Sequence, residues 1–586
     1  MVAHPTEKDD MKLTPRQQEI VKIYADLAKK KGDLPSIAES LQAGLTRETI
    51  RAHFGTMSKL KEIAPLVALK QFEVINKKKE PHVHSDFTKD ALGTIVKEND
   101  YQEGTFFITA IAPTSHLDWS KEDHAKAKNG EDVLAENLFV PGFNAVQNFL
   151  KRTKAELVLL PMPAHVKALE KQPLYYDPKL KDFRDQIATE FTFNSHLKAV
   201  EAHLNPQQFN PITGFKRLKI HKYTDDYEPG QEIKRFKTSL IVAHSKQMME
   251  VVPTGNESHP RIVHSTGAIT KPAYLRNRVG MIANEDHKLG GLIVEIRGDV
   301  FWIRQVQFNP KNGSFIDMGK RYHADGKVTE ERAEAFKMGD LHPGFHSQVA
   351  MDALYDLWKI IKPKRIFFED FFDGASISHH TENRRLTRAQ LPSCFKDLPT
   401  EIAMANKVLT EMWNKAPKDA ELIATASNHP DHVLQYLDRG AYVRDCKENY
   451  DLGHRMVVME LDKKNSLQQL LDPTKRMRWT DQNEDYFVEG VQMNSHGHLG
   501  IGGARGSLPS GELAYGSVMQ AHSHKPGIFH DAWCVGHTSE DRHGYNNGAQ
   551  NWILCSGAVY KGGHKQLYMI IKGTAYRPLP LKKKTT

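Results

Sequence analysis

The pattern of apolar and polar residues in the C-terminal part of the chain alternates between two periods. Short, continuous apolar runs at 335–338, 365–368 and 421–425 are typical of buried strands. Between them, residues 347–361 and 400–414 carry apolar side chains at three- and four-residue steps, which is typical of helices that bury one face. This strand, helix, strand, helix, strand order predicts a parallel sheet with right-handed crossovers, and therefore the α/β class.

The middle of the chain has a less uniform pattern. Apolar runs at 105–112 and 156–161 predict two strands, with a helix between them at 142–151. Further on, Gly298-Asp299 lies between two strand-like segments and is a favoured two-residue hairpin turn. We therefore expect a mixed α/β region that changes toward antiparallel structure.

The N-terminal segment predicts a helix-turn-helix. Residues 12–30 have a helical period, 36–42 predict a second short helix, and Thr46 can cap a third. Arg47 and Arg51 project from that third helix, which could enter the major groove of DNA. The alternative is a small three-helix bundle whose arginines are solvated or hold a viral or host protein.

Composition and charge exclude several classes of protein. With 26% charged and 39% hydrophobic residues, the chain has the composition of a soluble globular protein, and no apolar stretch reaches the roughly 18 residues that a membrane span needs. The four cysteines are too scattered for a disulfide framework or a CxxC zinc site, and the acidic N-terminus does not resemble a signal peptide, so we expect a cytoplasmic protein. Residues 12–79 contain 14 basic and 7 acidic side chains and so carry +7 of the total charge of +8, which permits a polyanionic partner such as DNA.

Side chains able to bind metal follow each of the three C-terminal strands, and more histidines come later. Ligands in open α/β sheets collect outside the carboxyl ends of the strands, so these side chains are expected to converge. The candidate ligands are Asp340, His342, Asp370, Asn428, His496, His522 and His524. Nitrogen and oxygen donors together favour two divalent ions, which we expect to be manganese, with iron or zinc as alternatives. Seven donors exceed what one metal with an open position takes, whereas two metals sharing a carboxylate accommodate them.

The order of these motifs resembles the calcineurin-like metallophosphoesterase superfamily. The chain has GDLH, EDFFD, SNH, HGH and AHSH, beginning at residues 339, 369, 427, 496 and 521, where the superfamily has DxH, GDxxD, GNH, H and GHxH. The resemblance covers about 335–576 and implies a metallophosphoesterase-like β-sandwich flanked by helices. With the N-terminal helix-turn-helix, the layout is also similar to DNA-degrading proteins of T5-like phages and to nuclease subunits of the Mre-eleven type.

The resemblance implies a role for each candidate ligand. Asp340, His342 and His524 would hold one metal, while Asn428, His496 and His522 would hold the other. Asp370 would bridge the two metals, and His429 would be the general acid beside the leaving group. The choice between His496 and His498 stays open, and Asp373 is either an ordinary polar residue or one that orients a ligand imidazole.

The chain departs from the superfamily pattern in three places. Glu369 and Ser427 stand where the superfamily has glycine, and Pro430-Asp431 follows His429 where an acidic residue usually follows directly. These changes leave every candidate ligand present but put the geometry of the loops in question.

Four segments are therefore expected: a DNA-binding helix-turn-helix at 1–76, a linker at 77–100, a mixed α/β domain at 101–334 and a nuclease domain at 335–586. The resemblance implies a phage-encoded, metal-dependent DNase that degrades host DNA in the host cytoplasm early in infection, and it also suggests a homo-oligomer. Arg505 would add a contact to the DNA. The alternatives are a phosphoprotein or nucleotide phosphoesterase and a DNA-binding scaffold without activity.

Overall fold

The structure, a computed structural model, describes two residues of the N-terminal segment and most of the chain from residue 87 onward. The described residues are Ile20, Ile23, 87–89, 95–97, 103–111, 138–161, 217–221, 238–255, 260–272, 274, 278–379, 385–541, 543 and 548–576. The chain divides into two compact units, Met1–Asp86 and Phe87–Thr586. In the first unit, Ile20 and Ile23 are helical, as the pattern of residues 12–30 predicts, and Ile20 is buried.

The predicted second and third helices of the helix-turn-helix, with Arg47 and Arg51, lie outside the described residues. The predicted linker at 77–100 lies partly within them. Its residues Phe87–Lys89 and Ile95–Lys97 pair as short antiparallel strands, so that part of the predicted linker is structured. Strands of three residues are too short for a period of two to reveal them in the sequence.

The described part of the second unit combines strands and helices. The strands are β1 (Phe87–Lys89), β2 (Ile95–Lys97), β3 (Gly104–Ile111), β4 (Glu156–Pro161), β5 (Leu218–His221), β6 (Ser239–Val242), β7 (Met249–Val252), β8 (Arg261–Ser265), β9 (Gly290–Arg297), β10 (Val300–Gln307), β11 (Phe315–Asp317), β12 (Lys320–Tyr322), β13 (Val328–Glu330), β14 (Ala335–Lys337), β15 (Arg365–Phe368), β16 (Glu421–Ala424), β17 (Arg478–Trp479), β18 (Phe487–Val488), β19 (Val491–Gln492), β20 (Val518–Gln520), β21 (Gly527–Phe529), β22 (Ala532–Cys534), β23 (Cys555–Tyr560) and β24 (His564–Met569). The α-helices are α1 (Val140–Thr153), α2 (Arg278–Asp286), α3 (Gln348–Ile361), α4 (Arg385–Ala389), α5 (Leu398–Lys415), α6 (Asp431–Asp438), α7 (Lys447–Leu461), α8 (Ser466–Leu471) and α9 (Leu508–Tyr515).

A six-stranded sheet in the order β17-β16-β15-β14-β23-β24 contains the three C-terminal strands that the sequence predicts. Strands β14, β15 and β16 are parallel, as expected, whereas β23 and β24 close that edge of the sheet in antiparallel directions. The two predicted helices that connect them are α3 and α5. The α/β prediction for this region is therefore confirmed.

The two faces of this sheet are covered differently. Phe336, Ile366 and Leu422 lie in a hydrophobic cluster with the buried faces of α3 and α5. The intervening residues Phe367 and Ile423 point to the opposite face and share a second cluster with the nine-stranded sheet described next. Because adjacent side chains of a strand point to opposite faces, strands buried on both sides appear in the sequence as continuous apolar runs.

The nine-stranded sheet has the order β18-β19-β20-β22-β21-β7-β8-β6-β5. Its strands come from two distant parts of the chain, and they meet where β21 pairs with β7 through Ile528 and Met249. The sheet thus crosses the boundary predicted between residues 334 and 335, and the chain does not divide into separate bodies at that point. The further assignment of this arrangement to the metallophosphoesterase fold stays a prediction.

Part of the middle region follows the sequence pattern. Strands β3 and β4 are parallel and are joined in sequence by a segment containing α1, and β9 and β10 form the hairpin whose turn is Gly298-Asp299. Together they make the four-stranded sheet β10-β9-β3-β4, while β11, β12 and β13 form a small antiparallel sheet. All four cysteines are free. Within the described residues, no helix combines the length and apolar character that crossing a membrane requires.

Candidate metal centre

Most of the candidate ligands lie directly after strands, and several have an unusual backbone conformation. His342, Asp370, His522 and His524 all have positive φ angles, of 47°, 44°, 67° and 55°. Residues other than glycine rarely adopt this left-handed region, and such strain tends to be concentrated at functional sites. The backbone here is turned rather than extended, so simple alternation along a strand does not explain why these side chains converge.

One group of side chains converges around two imidazole nitrogens. The Nε2 atoms of His342 and His524 lie 3.1 Å apart, and Nε2 of His524 lies 3.1 Å from Oδ2 of Asp340. Oδ2 of Asp370 is 3.5 Å from Nε2 of His342. All four side chains are buried, and each has a potential ligand atom within 4.8 Å of the others. We call Asp340, His342, Asp370 and His524 the first half of the site.

A second group lies on the other side of Asp370. Nε2 of His496 is 2.9 Å from Oδ1 of Asn428, 3.2 Å from Nδ1 of His522 and 3.7 Å from Oδ2 of Asp370. His496 is buried, whereas Asn428 and His522 are half-buried. We call Asp370, Asn428, His496 and His522 the second half of the site, and Asp370 contacts both halves.

The histidine left open by the sequence has a different neighbour. Nε2 of His498 lies 2.9 Å from the side-chain nitrogen of Gln482. Its ring is 5.2 Å from that of His496, measured between centroids. His496, and not His498, therefore faces Asn428 and Asp370.

Asp373 connects the first half to His429. Its Oδ2 accepts a hydrogen bond from Nδ1 of His342 at 2.8 Å, which leaves Nε2 of that ring facing His524. His429 donates from Nδ1 to the backbone carbonyl of Asp373 at 2.7 Å, because a carbonyl oxygen can only accept. Nε2 of His429 is therefore the nitrogen available to a ligand or substrate.

The charged side chains of the site shift one another's pKa values. Burial raises the pKa of Asp340 well above its usual value, and the neighbouring carboxylates Asp370 and Glu369 add to this. Burial also acts to raise the pKa of Asp370, but the charge of His496 and other imidazoles outweighs it and lowers that pKa. Burial acts to lower the pKa of His496, but the same carboxylates together raise it to about 9. The site thus concentrates negative charge that a cation would neutralise.

Two departures from the superfamily pattern have a local structural role. The hydroxyl of Ser427 accepts a hydrogen bond from the backbone N–H of Asp370 at 3.2 Å, which glycine at this position could not do. Asp431 is the first residue of α6, and an acidic side chain in the first turn is favourable near the positive end of the helix dipole. The third departure, Glu369, is buried beside His496 and Asp340, and one oxygen or nitrogen of each lies within 4.8 Å of the others.

Sequence reasoning missed several side chains that surround the site. Glu401, one turn inside α5, accepts hydrogen bonds from the backbone N–H groups of Gly374, Ala375 and Ser376 at 2.6, 3.1 and 2.9 Å. Burial and the charge of Asp373 raise the pKa of Glu401 to about 7, whereas these N–H donors act in the opposite direction. A glutamate on a helix carries no signal that it will hold a distant loop.

Three aromatic rings cover the first half. The rings of Trp552 and His537 lie 3.9 and 5.3 Å from that of His524, between centroids, and His543 is 5.1 Å from His342. The chain segment carrying His537 comes so close to β14 that a Cβ on Gly339 would lie 2.5 Å from its backbone. The glycine of the GDLH motif is thus required by packing, which the sequence alone does not reveal.

The predicted DNA contacts are less closely defined. Arg505 is exposed in a loop that is closed by a bridge between Leu499 and Arg505, shortly after His496 and His498 in sequence. Arg47 and Arg51 lie outside the described residues.

The donors present fit divalent cations. Both carboxylate oxygens of Asp340 and Oδ1 of Asp370 are buried without a hydrogen-bond partner among the described residues. Leaving buried carboxylate oxygens unpaired is costly, and coordination of a cation removes that cost. Imidazole and carboxylate ligands together suit manganese, iron or zinc.

Comparison with known proteins finds similarity to Protein A1 of Escherichia phage T5, which is 27% identical over 351 residues. The match spans 56% of this chain and 62% of Protein A1, so it covers less than two thirds of that relative. No family model matches the chain. No solved structure matches it. The chain is thus similar to a phage protein and contains a buried group of Asp and His residues that could hold metal ions.

Proposed function

We propose that this protein is a two-metal-dependent DNase, encoded by a phage, that hydrolyses phosphodiester bonds of host DNA in the host cytoplasm early in infection. The observation that carries this proposal is the convergence of six candidate ligands, from four separate motifs, on the two sides of the seventh, Asp370. Similarity to Protein A1 of phage T5 supports a phage function.

The residues of the first half would hold one cation and those of the second half the other, with Asp370 shared between them. Manganese is the proposed metal, with iron or zinc as alternatives. When bound, two such cations supply Lewis acidity toward the phosphate and make a nearby water more acidic.

The protein's own groups then position and protonate the reacting atoms. Asp373 fixes the ring of His342 through the Nδ1–H hydrogen bond, so that its Nε2 lone pair points into the site. The backbone carbonyl of Asp373 fixes His429 in the same way and leaves Nε2 for the substrate. His429 would donate a proton from Nε2 to the departing oxygen, which matters because an alkoxide leaves poorly.

The raised pKa of His429 suits this role. Burial acts to lower the pKa, but the negative charges of Asp370 and Asp373 outweigh burial and raise it above the usual value for histidine. Before metal binds, the imidazole therefore keeps its second proton nearer to neutral pH, and the charge of Asp373, which is not a proposed ligand, continues to favour that proton when Asp370 is shared with the metals.

DNA is the proposed substrate because of charge outside the site. The basic segment 12–79 and the exposed Arg505 would contact phosphates and strengthen binding in a salt-dependent way. The site itself does not select DNA, since the same donors could serve a phosphoprotein or nucleotide phosphoesterase. That activity is the second candidate, and a DNA-binding scaffold without activity is the third.

One assay separates these candidates. The full chain is incubated with Mn²⁺ and, in parallel, with plasmid DNA, short duplexes and p-nitrophenyl phosphate, with Asp340→Asn as the matched inactive control. Metal-dependent cleavage of DNA that Asp340→Asn lacks is the expected result. Cleavage of the small ester alone would support the second candidate, and DNA retention without any cleavage would support the third.

A further inference from the structure

A buried ion pair lies directly behind the second half of the site. Nζ of Lys337, at the end of β14, is paired with Oε1 of Glu369, which follows β15, and neither side chain is exposed to solvent. Lys337 also donates hydrogen bonds to the backbone carbonyls of Met493 and Ser495 at 2.8 and 2.9 Å. The lysine therefore holds both the glutamate and the chain segment that leads into His496.

The other oxygen of Glu369 faces this same histidine. Oε2 of Glu369 lies 3.6 Å from Nδ1 of His496, while Nε2 of that ring lies 2.9 Å from Oδ1 of Asn428. Nδ1 of the imidazole thus faces Glu369, with Oδ1 of Asp340 as a second carboxylate neighbour at 3.7 Å, and Nε2 faces Asn428 and Asp370.

A similar arrangement occurs in the first half of the site. There, Oδ2 of Asp373 accepts the Nδ1–H of His342, whose Nε2 faces His524. A carboxylate behind a ligand imidazole fixes which nitrogen carries the proton and how the ring is turned. Glu369 stands where the superfamily pattern has glycine, which has no side chain to serve in this way.

A contribution to stability alone does not explain why Lys337 and Glu369 are buried as an ion pair. Removing two charges from water is unfavourable, and apolar residues of similar size often stabilise a protein as well or better. Neither side chain of the pair is exposed to solvent, so contact with water does not require a charge at either position.

We propose that Glu369, held by Lys337, is a positioning residue that orients His496 as a ligand of the second half of the site. The carboxylate would accept the Nδ1–H of His496, and Lys337 would hold that carboxylate in place. The inference rests on the proposed metal-dependent function, because it uses the same site, but it does not depend on the substrate being DNA.

The test measures metal affinity and requires no turnover. The full chain is stripped with a chelator and titrated with Mn²⁺, and free Mn²⁺ is followed by electron paramagnetic resonance. Wild type should bind two ions per chain, and His522→Ala identifies which binding step belongs to the second half.

In Glu369→Gln, the amide oxygen should pair with Lys337 and leave the amide N–H₂ facing Nδ1 of His496, so the affinity of the second half should fall about 10- to 100-fold. The affinity of the first half should stay unchanged.

A second variant and a matched control cover general damage to the fold. Lys337→Met/Glu369→Leu removes both charges and leaves neither one unpaired. Because it also removes the donor to the carbonyls of Met493 and Ser495, it is compared with Glu369→Gln, which keeps that donor, and both variants should lose affinity in the second half alone. Asp317→Asn disrupts another buried ion pair, that of Asp317 with Arg304, and should leave both affinities unchanged.

The outcomes distinguish the inference from the proposed function. Unchanged affinity of the second half in the double variant, or equal loss from both halves, would overturn the role of Glu369. A wild-type chain that binds no Mn²⁺ would overturn both proposals. A chain that binds two ions, shows the selective loss and cleaves no phosphoester would overturn the proposed function and support the positioning role.

Discussion

The two halves of the candidate metal centre differ in how they are enclosed. His342 and His524 in the first half are buried and covered by the rings of Trp552, His537 and His543. In the second half, Asn428 and His522 are only half-buried. If the proposed metals bind, we expect the first half to release its ion more slowly and the second half to face the substrate.

The largest effect is expected where the two halves meet. Asp370→Asn should reduce cleavage below detection, because the proposed bridging ligand loses its charge and serves neither half fully. Metal titration should reveal weaker binding in both halves, and circular dichroism should reveal an unchanged fold. Loss of affinity from only one half would contradict the bridging assignment.

Replacing the proposed general acid should have a smaller effect. His429→Gln should slow cleavage about 10²- to 10⁴-fold and leave the affinity for Mn²⁺ unchanged. The wild-type rate should fall as pH rises through the pKa of His429, when the acid loses its proton, and the negative charge of Asp373 favours that proton. The rate of the variant should lack this alkaline fall, and an unchanged profile would contradict the role.

Removal of the metals should reveal the difference in enclosure directly. When the Mn²⁺-loaded chain is mixed with a coloured chelator, we expect two phases of metal release whose rates differ by about tenfold or more. The slow phase should be missing in His524→Ala and the fast phase in His522→Ala. A reversed assignment would refute the proposed division between the two halves.

Loosening the loop behind the first half should affect stability more than chemistry. Glu401→Gln places an amide N–H₂ opposite the N–H of Ser376, and leaving such a donor unpaired costs about 1–3 kcal/mol in the free energy of unfolding. The cleavage rate should fall by less than about tenfold, since Asp373 and His429 remain. Chemical denaturation and steady-state rates measure the two effects separately.

The smallest effect should come from the surface beside the second half. Arg505→Gln should weaken DNA binding only a few-fold. The slope of log affinity against log salt concentration should fall by about one, which corresponds to one lost phosphate contact. Hydrolysis of p-nitrophenyl phosphate should not change. A loss of both activities would place Arg505 in the chemistry and not in DNA binding.

The sequence predicts local elements well where burial is uniform. Helix α3 and strand β15 were recognisable because residues with a helical period are followed by a continuous apolar run. The grouping of Asp340, Asp370 and Asn428 followed from the general rule that ligands gather at the carboxyl ends of parallel strands. These two rules apply only to residues that are close in sequence or that lie on the same sheet.

Longer-range pairing could not be predicted in this way. Nothing in the pattern around Met249 indicates that it pairs with Ile528, because the two strands are far apart in sequence and short. The left-handed backbone of His522 and His524 was also unforeseen, since residues other than glycine adopt it only rarely. The partnership of Lys337 with Glu369 depends on the same tertiary packing.

The mixed origin of the nine-stranded sheet limits how the gene can be divided. A fragment that begins at residue 335 would encode β21 without β7, and so would carry an unpaired strand edge beside the uncovered apolar surface of Ile528 and Trp533. Exposed edges of this kind promote aggregation. Expression of a minimal catalytic piece therefore has to retain the strands between residues 218 and 265, and recombination that exchanges the C-terminal region alone would separate segments that fold together.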